Sequence, residues 1–117
     1  MSVSNPSVSQ HFVGKSESVK ATYESLLKVA GSFGAFTEDP KKTSIHLNRR
    51  SAFAGVATRK DALVLTVKAS KDIQSPRVRK HEQVSGSRWH LELSLASPSE
   101  VDAELTKWLR EAYELSA

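Results

Sequence analysis

The middle of this sequence is a series of short runs in which apolar and polar side chains alternate, and this pattern constrains the fold most. Thr43, Ile45 and Leu47 alternate with polar neighbours, as expected of a strand that is buried on one face only. Within the next run, Gly55 predicts a bulge or a close approach of the backbone. Further runs of this kind are AFAGVATR, ALVLTVKA, KHEQV and RWHLELSL, and a short extended piece is predicted at residues 35–38.

Two helical patterns flank these strands. The first begins near Ser16 and has its stop signals at Gly31 and Gly34. The second begins with SPSE at residues 97–100, a capping box with Ser97 as the N-cap. The apolar residues that recur at helical spacing are Val19, Tyr23, Leu26, Leu27, Ala30 and Phe33 in the first helix, and Val101, Leu105, Trp108, Leu109 and Ala112 in the second.

This order of elements predicts an α+β fold. A single antiparallel sheet of five to six strands, mostly a meander, carries the N- and C-terminal helices on one face. Residues 11–117 are expected to form one domain behind a flexible tail at residues 1–10, which is rich in serine and asparagine. The other face of the sheet is then open and polar, and it carries Ser44, His46, Asn48, Thr66, Lys68, His90 and Glu92.

Composition narrows the class of protein. The chain has 117 residues, of which 38% are hydrophobic and 26% charged, as is typical of soluble globular domains. It contains no cysteine, which excludes disulfides, thiol nucleophiles and thiolate metal sites. No apolar run approaches the roughly 18 residues of a membrane span, and the first residues lack the pattern of a signal peptide. We therefore expect a cytoplasmic protein without a cofactor or a membrane contact.

Several segments carry a resemblance to a known family. They are HFVGKS ahead of the first helix, KKT at the opening of a strand, FAGV and RKDALVL in the sheet, and SPSEVD with REAYE near the end. Over residues 10–115 they resemble a bacterial family of domains of unknown function, some of whose members are labelled "predicted transport protein". The resemblance implies a small α+β domain, alone or appended to larger proteins, without an established activity. No segment of the sequence supports the transport label.

Charge is distributed unevenly along the chain, whose formal net charge is +4. Residues 41–88 carry twelve basic and three acidic side chains, whereas residues 89–117 carry two basic and six acidic ones. In a meander, Arg49 and Arg50 are expected to share one end of the sheet with the loop at residues 70–80. The other end lies roughly 20 Å away. The candidate anion- or partner-binding residues are Lys41, Lys42, Arg49, Arg50, Arg59, Lys60, Arg77, Arg79 and Lys80.

The motifs of catalysis and metal binding are weak. His11, His46, His81 and His90 show no ligand spacing, although His46 and His90 are predicted on the open face and are candidate residues there. A G-x-S-x-G elbow and a phosphate loop are both missing. Gly14-Lys15-Ser16 lacks the upstream glycine and strand of a Walker motif, so Ser16 or Ser18 is expected to be a helix N-cap instead. An enzyme is therefore the third hypothesis.

Two other hypotheses rank higher. The first is a non-catalytic binding or protein-interaction module whose open sheet face docks another protein or a second copy of the chain. The second is a weak, salt-dependent nucleic-acid-binding accessory domain that uses the basic clusters. Single-strand recognition requires exposed aromatic side chains, and both tryptophans are predicted to face the core, while the face of Phe53 cannot be assigned from the sequence.

Overall fold

The computed structural model of the protein describes residues 7–117. Most of the predicted tail lies outside these residues, and its last residues from Ser9 belong to a 3-10 helix, Ser9–Phe12. The remaining elements are α1 (Glu17–Gly31), β1 (Thr37–Pro40), β2 (Ile45–Asn48), β3 (Ala52–Thr58), β4 (Leu63–Ala69), β5 (Val78–Ser85), β6 (Arg88–Leu95), a 3-10 turn (Pro98–Glu100) and α2 (Ala103–Leu115).

The six strands form one antiparallel sheet, which confirms the predicted α+β fold. The strand order is β1-β2-β3-β4-β6-β5, so β6 is inserted between β4 and β5. Both β4 and β5 are antiparallel to β6, and they therefore run in the same direction. The segment 70–77 crosses from one end of the sheet to the other, whereas a hairpin would have turned at one end.

This crossover corrects one expectation from the sequence. Val78 pairs with Leu93, which in turn pairs with Leu65 on β4. Arg77 and Arg79 therefore lie towards the end of the sheet where β4 begins, opposite the turn that carries Arg49 and Arg50. Their predicted grouping with that turn is wrong, because it assumed that β4 and β5 form a hairpin.

The core lies between the sheet and the two helices. Strand β2 shows the expected alternation, with Ile45 and Leu47 buried and their neighbours half-buried. One face of each helix is buried against the sheet, including Val19 and Leu26 of α1 and Leu105 and Leu109 of α2. Both helices thus cover the same face of the sheet.

A partly buried hydrogen bond links α1 to β1. The hydroxyl of Tyr23 donates to Glu38 Oε2 at 2.6 Å, and burial together with this contact raises the pKa of the Tyr23 phenol.

The start of α2 differs from the prediction. Glu100 Oε1 accepts the backbone N–H groups of Ala96 and Ser97, at 2.6 and 3.2 Å, but this contact closes only the short 3-10 turn. Val101 leaves helical geometry with φ −84° and ψ 75°. Helix α2 begins at Ala103, and its N-cap is Asp102, whose Oδ1 accepts the N–H of Leu105 at 3.0 Å.

Phe53 belongs to the helix-covered side of the sheet. It is completely buried, and its ring meets the edges of Phe36 and Tyr113 at centroid distances of 6.2 and 5.3 Å. The pairing register shifts opposite this residue, between Leu47 and Asn48. The predicted bulge is therefore displaced from Gly55, which pairs regularly with its neighbours on β2 and β4.

Candidate binding groove on the open face of the sheet

The uncovered face of the sheet carries a row of paired residues that crosses four strands. His46 pairs with Gly55, Gly55 with Thr66, and Thr66 with Glu92. Because paired residues in a ladder point to the same face, the side chains of His46, Thr66 and Glu92 project away from the helices. In the adjacent part of the ladder, Lys68 pairs with His90.

Small side chains in the middle of this face create a groove. Gly55 and Ala57 of β3 lie beside Thr66 and Val64 of β4, while larger side chains stand on β2 and β6. The resulting cavity has a volume of about 280 Å³. We call this cavity the open-face groove; it is lined by Ser44, His46, Ala52, Phe53, Ala54, Gly55, Val56, Ala57, Arg59, Val64, Thr66, Lys68, His90 and Glu92.

Val64 departs from the alternation of its strand. It lies on the open face between Ala57 and Ser94, yet it is only 9% exposed, and it lies outside the core cluster beneath the helices. The floor of the open-face groove is therefore apolar at this point. An apolar floor between polar walls is the usual composition of a ligand-binding surface.

Lys68 marks one end of the groove. Its Nζ donates to Ser51 Oγ at 3.0 Å and to Ser116 Oγ at 2.8 Å, so two of its three protons are used by neutral acceptors. Burial lowers the pKa of the Lys68 ammonium, and the positive charge of Arg88 lowers this pKa further. The Lys68 ammonium also has no acidic partner among residues 7–117. An incoming anion would therefore be favoured there.

Arg59 marks the other end, where the turn between β3 and β4 begins. Its backbone N–H donates to the carbonyl of Ala62 at 2.8 Å, and its Nη1 donates to the carbonyl of Thr58 at 3.3 Å. Within the described part of the chain its guanidinium has no carboxylate partner. Glu92 is the single acidic residue in the groove lining, and it lies 3.6 Å from Arg79. The groove is therefore net positive.

Several of the other predicted cations have partners within the fold. Nζ of Lys41 lies 2.9 Å from Asp39, and this contact holds the pKa of the Asp39 carboxyl below its usual range. Arg77 contacts Asp102 and Glu104 at 2.9 and 3.0 Å, and thereby ties the 70–77 crossover to the start of α2.

Arg49 and Arg50 have structural contacts as well. The guanidinium of Arg49 lies 4.3 Å from the centroid of the Tyr113 ring and donates to the Tyr113 carbonyl at 3.2 Å. The backbone N–H of Arg50 donates to the carbonyl of Ser116. Both residues thus fasten the end of α2 to the turn between β2 and β3. The predicted cations that have no ion pair among residues 7–117 are Lys42, Arg49, Arg50, Arg59, Lys60 and Lys80.

The two candidate histidines line the same groove on opposite walls. His46 stands on β2 and His90 on β6, with β3 and β4 between them. Three interstrand spacings separate their backbones by about 14 Å, too far for both imidazoles to bind one metal ion. Residues 7–117 contain no cluster of three or more His, Asp or Glu side chains that could hold a metal.

Lys68 is predicted on the open face, but no pattern in the sequence marks it as a site residue, and the small residues of the groove floor are not among the predicted site residues. Two signals were present in the sequence. Gly55 interrupts a strand, and Val64 is apolar at a position where alternation calls for a polar residue. Together they indicate a low, apolar strip on the face that the helices leave uncovered.

The fold and this groove define a small two-layer α+β domain with one open sheet face. A family model described as "Domain of unknown function (DUF5655)" matches residues 8–116, and the chain belongs to this family. This match confirms the predicted resemblance to a family of domains of unknown function. No curated protein and no solved structure matches the chain. None of the helices within residues 7–117 has the length and apolar character needed to cross a membrane.

Proposed function

We propose that this domain is a non-catalytic binding module whose open-face groove receives an acidic part of a partner protein. The observation that carries the proposal is the pairing of an apolar floor with unpaired cations, Lys68 and Arg59, in one groove. Charge complementarity favours an anionic occupant, because each of these cations would gain an acidic partner that residues 7–117 do not supply.

The shape of the groove supports a peptide as the occupant. Its volume of about 280 Å³ is at or below the lower end of closed pockets for small molecules, which hold roughly 300–1,000 Å³. Its floor follows two neighbouring strands, Ala52–Thr58 and Leu63–Ala69. A ligand in a shallow groove along strands remains exposed to solvent on one side. A segment that is still part of a larger partner protein needs this exposure.

Nucleic acid is the alternative occupant, and the groove offers it less. Phe53 is the only aromatic residue besides the histidines in the lining, and its side chain is buried on the helix-covered side of the sheet. A base therefore has no exposed phenyl or indole ring on which to stack. Lys41, Arg77 and Arg79 already contact carboxylates, which reduces the charge that the predicted basic clusters present to phosphates.

The proposal is tested by fluorescence anisotropy with a labelled peptide of about eight residues in which glutamate and serine alternate. The protein is compared with the double variant Arg59→Gln/Lys68→Gln. A matched double variant, Lys20→Gln/Lys107→Gln, removes the same net charge from exposed positions on the two helices. We expect at least about fivefold weaker binding for the groove variant, the equivalent of roughly 1 kcal/mol, and little change for the helix variant.

Two results contradict the proposal. If both double variants weaken the peptide equally, the attraction is a property of net charge and the groove has no special role. If a labelled single-stranded or duplex oligonucleotide binds more tightly than the peptide and loses affinity steeply between about 50 and 200 mM salt, nucleic acid is the ligand instead.

A further inference from the structure

The open-face groove has a direction that restricts what can lie in it. Its floor is made by successive pairs on the same two strands, Gly55 with Thr66 and Ala57 with Val64. Its walls are His46 on one side and His90 with Glu92 on the other. A groove whose floor follows two strands and whose walls stand on their outer neighbours runs parallel to the strands.

The two unpaired cations lie near opposite ends of this groove. Lys68 is near the end of β4, and Arg59 is tied by its backbone to Ala62, just before β4 begins. Position 68 lies six residues beyond position 62, which corresponds to about 20 Å along a strand. The ends of the groove are thus the places where an anionic group gains most.

The middle of the groove offers different chemistry. Between the ends, the lining includes the Thr66 hydroxyl, the His46 imidazole and the small floor residues, while His90 pairs with Lys68 at one end. Glu92 adds a negative charge there, although Arg79 lies 3.6 Å from it. A ligand with acidic groups at both ends and neutral groups between them matches this order of charges.

An extended segment fits the length, and a helical one does not. In an extended chain, residues i and i+6 point to the same face and lie about 20 Å apart. In a helix the same two residues are separated by only about 9 Å along the axis. Only the extended conformation brings one acidic residue to each end of the groove at this spacing.

Building on the proposed function, we infer that the ligand is an extended segment of a partner protein with acidic residues at positions i and i+6 and small or neutral residues between them. The segment lies along Ala52–Thr58 and Leu63–Ala69, with one carboxylate at Lys68 and the other at Arg59. Specificity then arises from the spacing of the two acidic residues as well as from their charge.

Two labelled peptides of the same composition test this inference by fluorescence anisotropy. Both contain two glutamates in a serine and alanine background; in one the glutamates are at i and i+6, and in the other at i and i+2. We expect the i, i+6 peptide to bind at least about fivefold more tightly, since only it contacts both cations. The single variants Arg59→Gln and Lys68→Gln are each expected to remove this difference, while Lys107→Gln retains it.

The outcomes separate the two proposals. Equal affinity of the two peptides, with both weakened by Arg59→Gln and Lys68→Gln, overturns the spacing rule and leaves the acidic-ligand function standing. Tighter binding of a helix-stapled i, i+6 peptide overturns the extended conformation. Failure of both peptides and of the glutamate-rich peptide to bind at millimolar concentration overturns the proposed function itself.

Discussion

A Cβ atom on Gly55 would lie 3.9 Å from Cδ2 of His46, an ordinary van der Waals distance. A positive φ, which favours glycine, is found within residues 7–117 at Gly14 and Gly34. Gly55 does not have it. Neither sterics nor backbone conformation therefore requires a glycine at this position. What its small size provides is the depth of the open-face groove.

Gly55→Val is accordingly expected to fold and to lose binding. A side chain at this position fills the groove floor, so we expect the affinity for the glutamate-rich peptide to fall at least about fivefold. Unfolding by urea should show a stability equal to that of the wild type or higher by about 0.5–1 kcal/mol, because glycine weakens strand interiors. Gly31→Ala, where a Cβ has nothing within 4 Å, is the control and should leave binding unchanged.

Lys68→Met separates binding from stability. Because burial lowers the pKa of Lys68 below its ordinary value, the unfolded chain binds this proton more tightly than the folded chain does. The charged lysine therefore lowers the stability of the fold at neutral pH, and this penalty disappears as the pH rises through the ordinary lysine pKa of about 10.4.

Methionine keeps the apolar part of the Lys68 side chain but cannot donate the hydrogen bonds to Ser51 and Ser116. We expect the variant to lie within about 1 kcal/mol of the wild type at pH 7, while binding of the acidic peptide falls. Urea unfolding at pH 7 and near pH 10.5 should show that the free energy of unfolding of the wild type rises relative to that of the variant at the higher pH. A fall of the wild-type value relative to the variant would show that Lys68 is not desolvated.

Gly34 and Tyr113 form a steric pair. Gly34 has φ +148°, and a Cβ there would lie 2.6 Å from Tyr113 Oη, which itself donates to the Ala35 carbonyl at 2.8 Å. Gly34→Ala should therefore destabilise the fold by about 1–3 kcal/mol, and Tyr113→Phe alone by about 1 kcal/mol.

The double variant Gly34→Ala/Tyr113→Phe should be more stable than the sum of the two single effects, since the hydroxyl that clashes is gone and the next atom lies 3.4 Å away. Thermal unfolding of the four proteins measures this coupling. Strict additivity would show that the hydroxyl and the Cβ do not compete for the same space.

Asp102 gives the start of α2 a dependence on pH. The backbone N–H of Leu105 and the guanidinium of Arg77 lower the pKa of this carboxyl below its ordinary value. Its contribution is therefore complete above the pKa of the unfolded chain, about 3.9, and is lost as the pH falls through the lower folded-state pKa. We expect Asp102→Ala to cost about 1 kcal/mol at pH 7 and almost nothing well below pH 3.

Asp102→Asn is the control for the cap alone, because asparagine also accepts the N–H of Leu105 but carries no charge for Arg77. Urea unfolding should place it between the wild type and the alanine variant at pH 7. A wild-type advantage over Asp102→Ala that persists unchanged at acidic pH would contradict this assignment.

The sequence predicted the strands and helices because burial of one face is a local pattern. Ile45 and Leu47 on β2, and Leu91, Leu93 and Leu95 on β6, are buried as their alternation requires. The start of α2 was misplaced since SPSE also satisfies the short turn before it, and Asp102 provides a second cap that local pattern alone does not rank above the first.

The order of the strands in the sheet could not be predicted from local sequence patterns. The segment 70–77 has eight residues, enough to cross a sheet but longer than the usual hairpin loop of 2–5 residues. Pairing of β4 with β6 is a long-range choice, and it moved Arg77 and Arg79 to the end of the sheet opposite Arg49. The groove was partly predictable, since the open polar face follows from the two helices, whereas its depth depends on which residues become neighbours.

The most direct test of the acidic-ligand groove is a titration of ¹⁵N-labelled protein with the i, i+6 peptide, followed by two-dimensional NMR. We expect saturable shifts of backbone amides on the groove strands, centred on Gly55 and Thr66, with the exposed helix surfaces around Lys20 and Lys107 unchanged. Shifts concentrated on the helices, or spread evenly over all basic positions, would contradict the claim that the open face of the sheet is the binding surface.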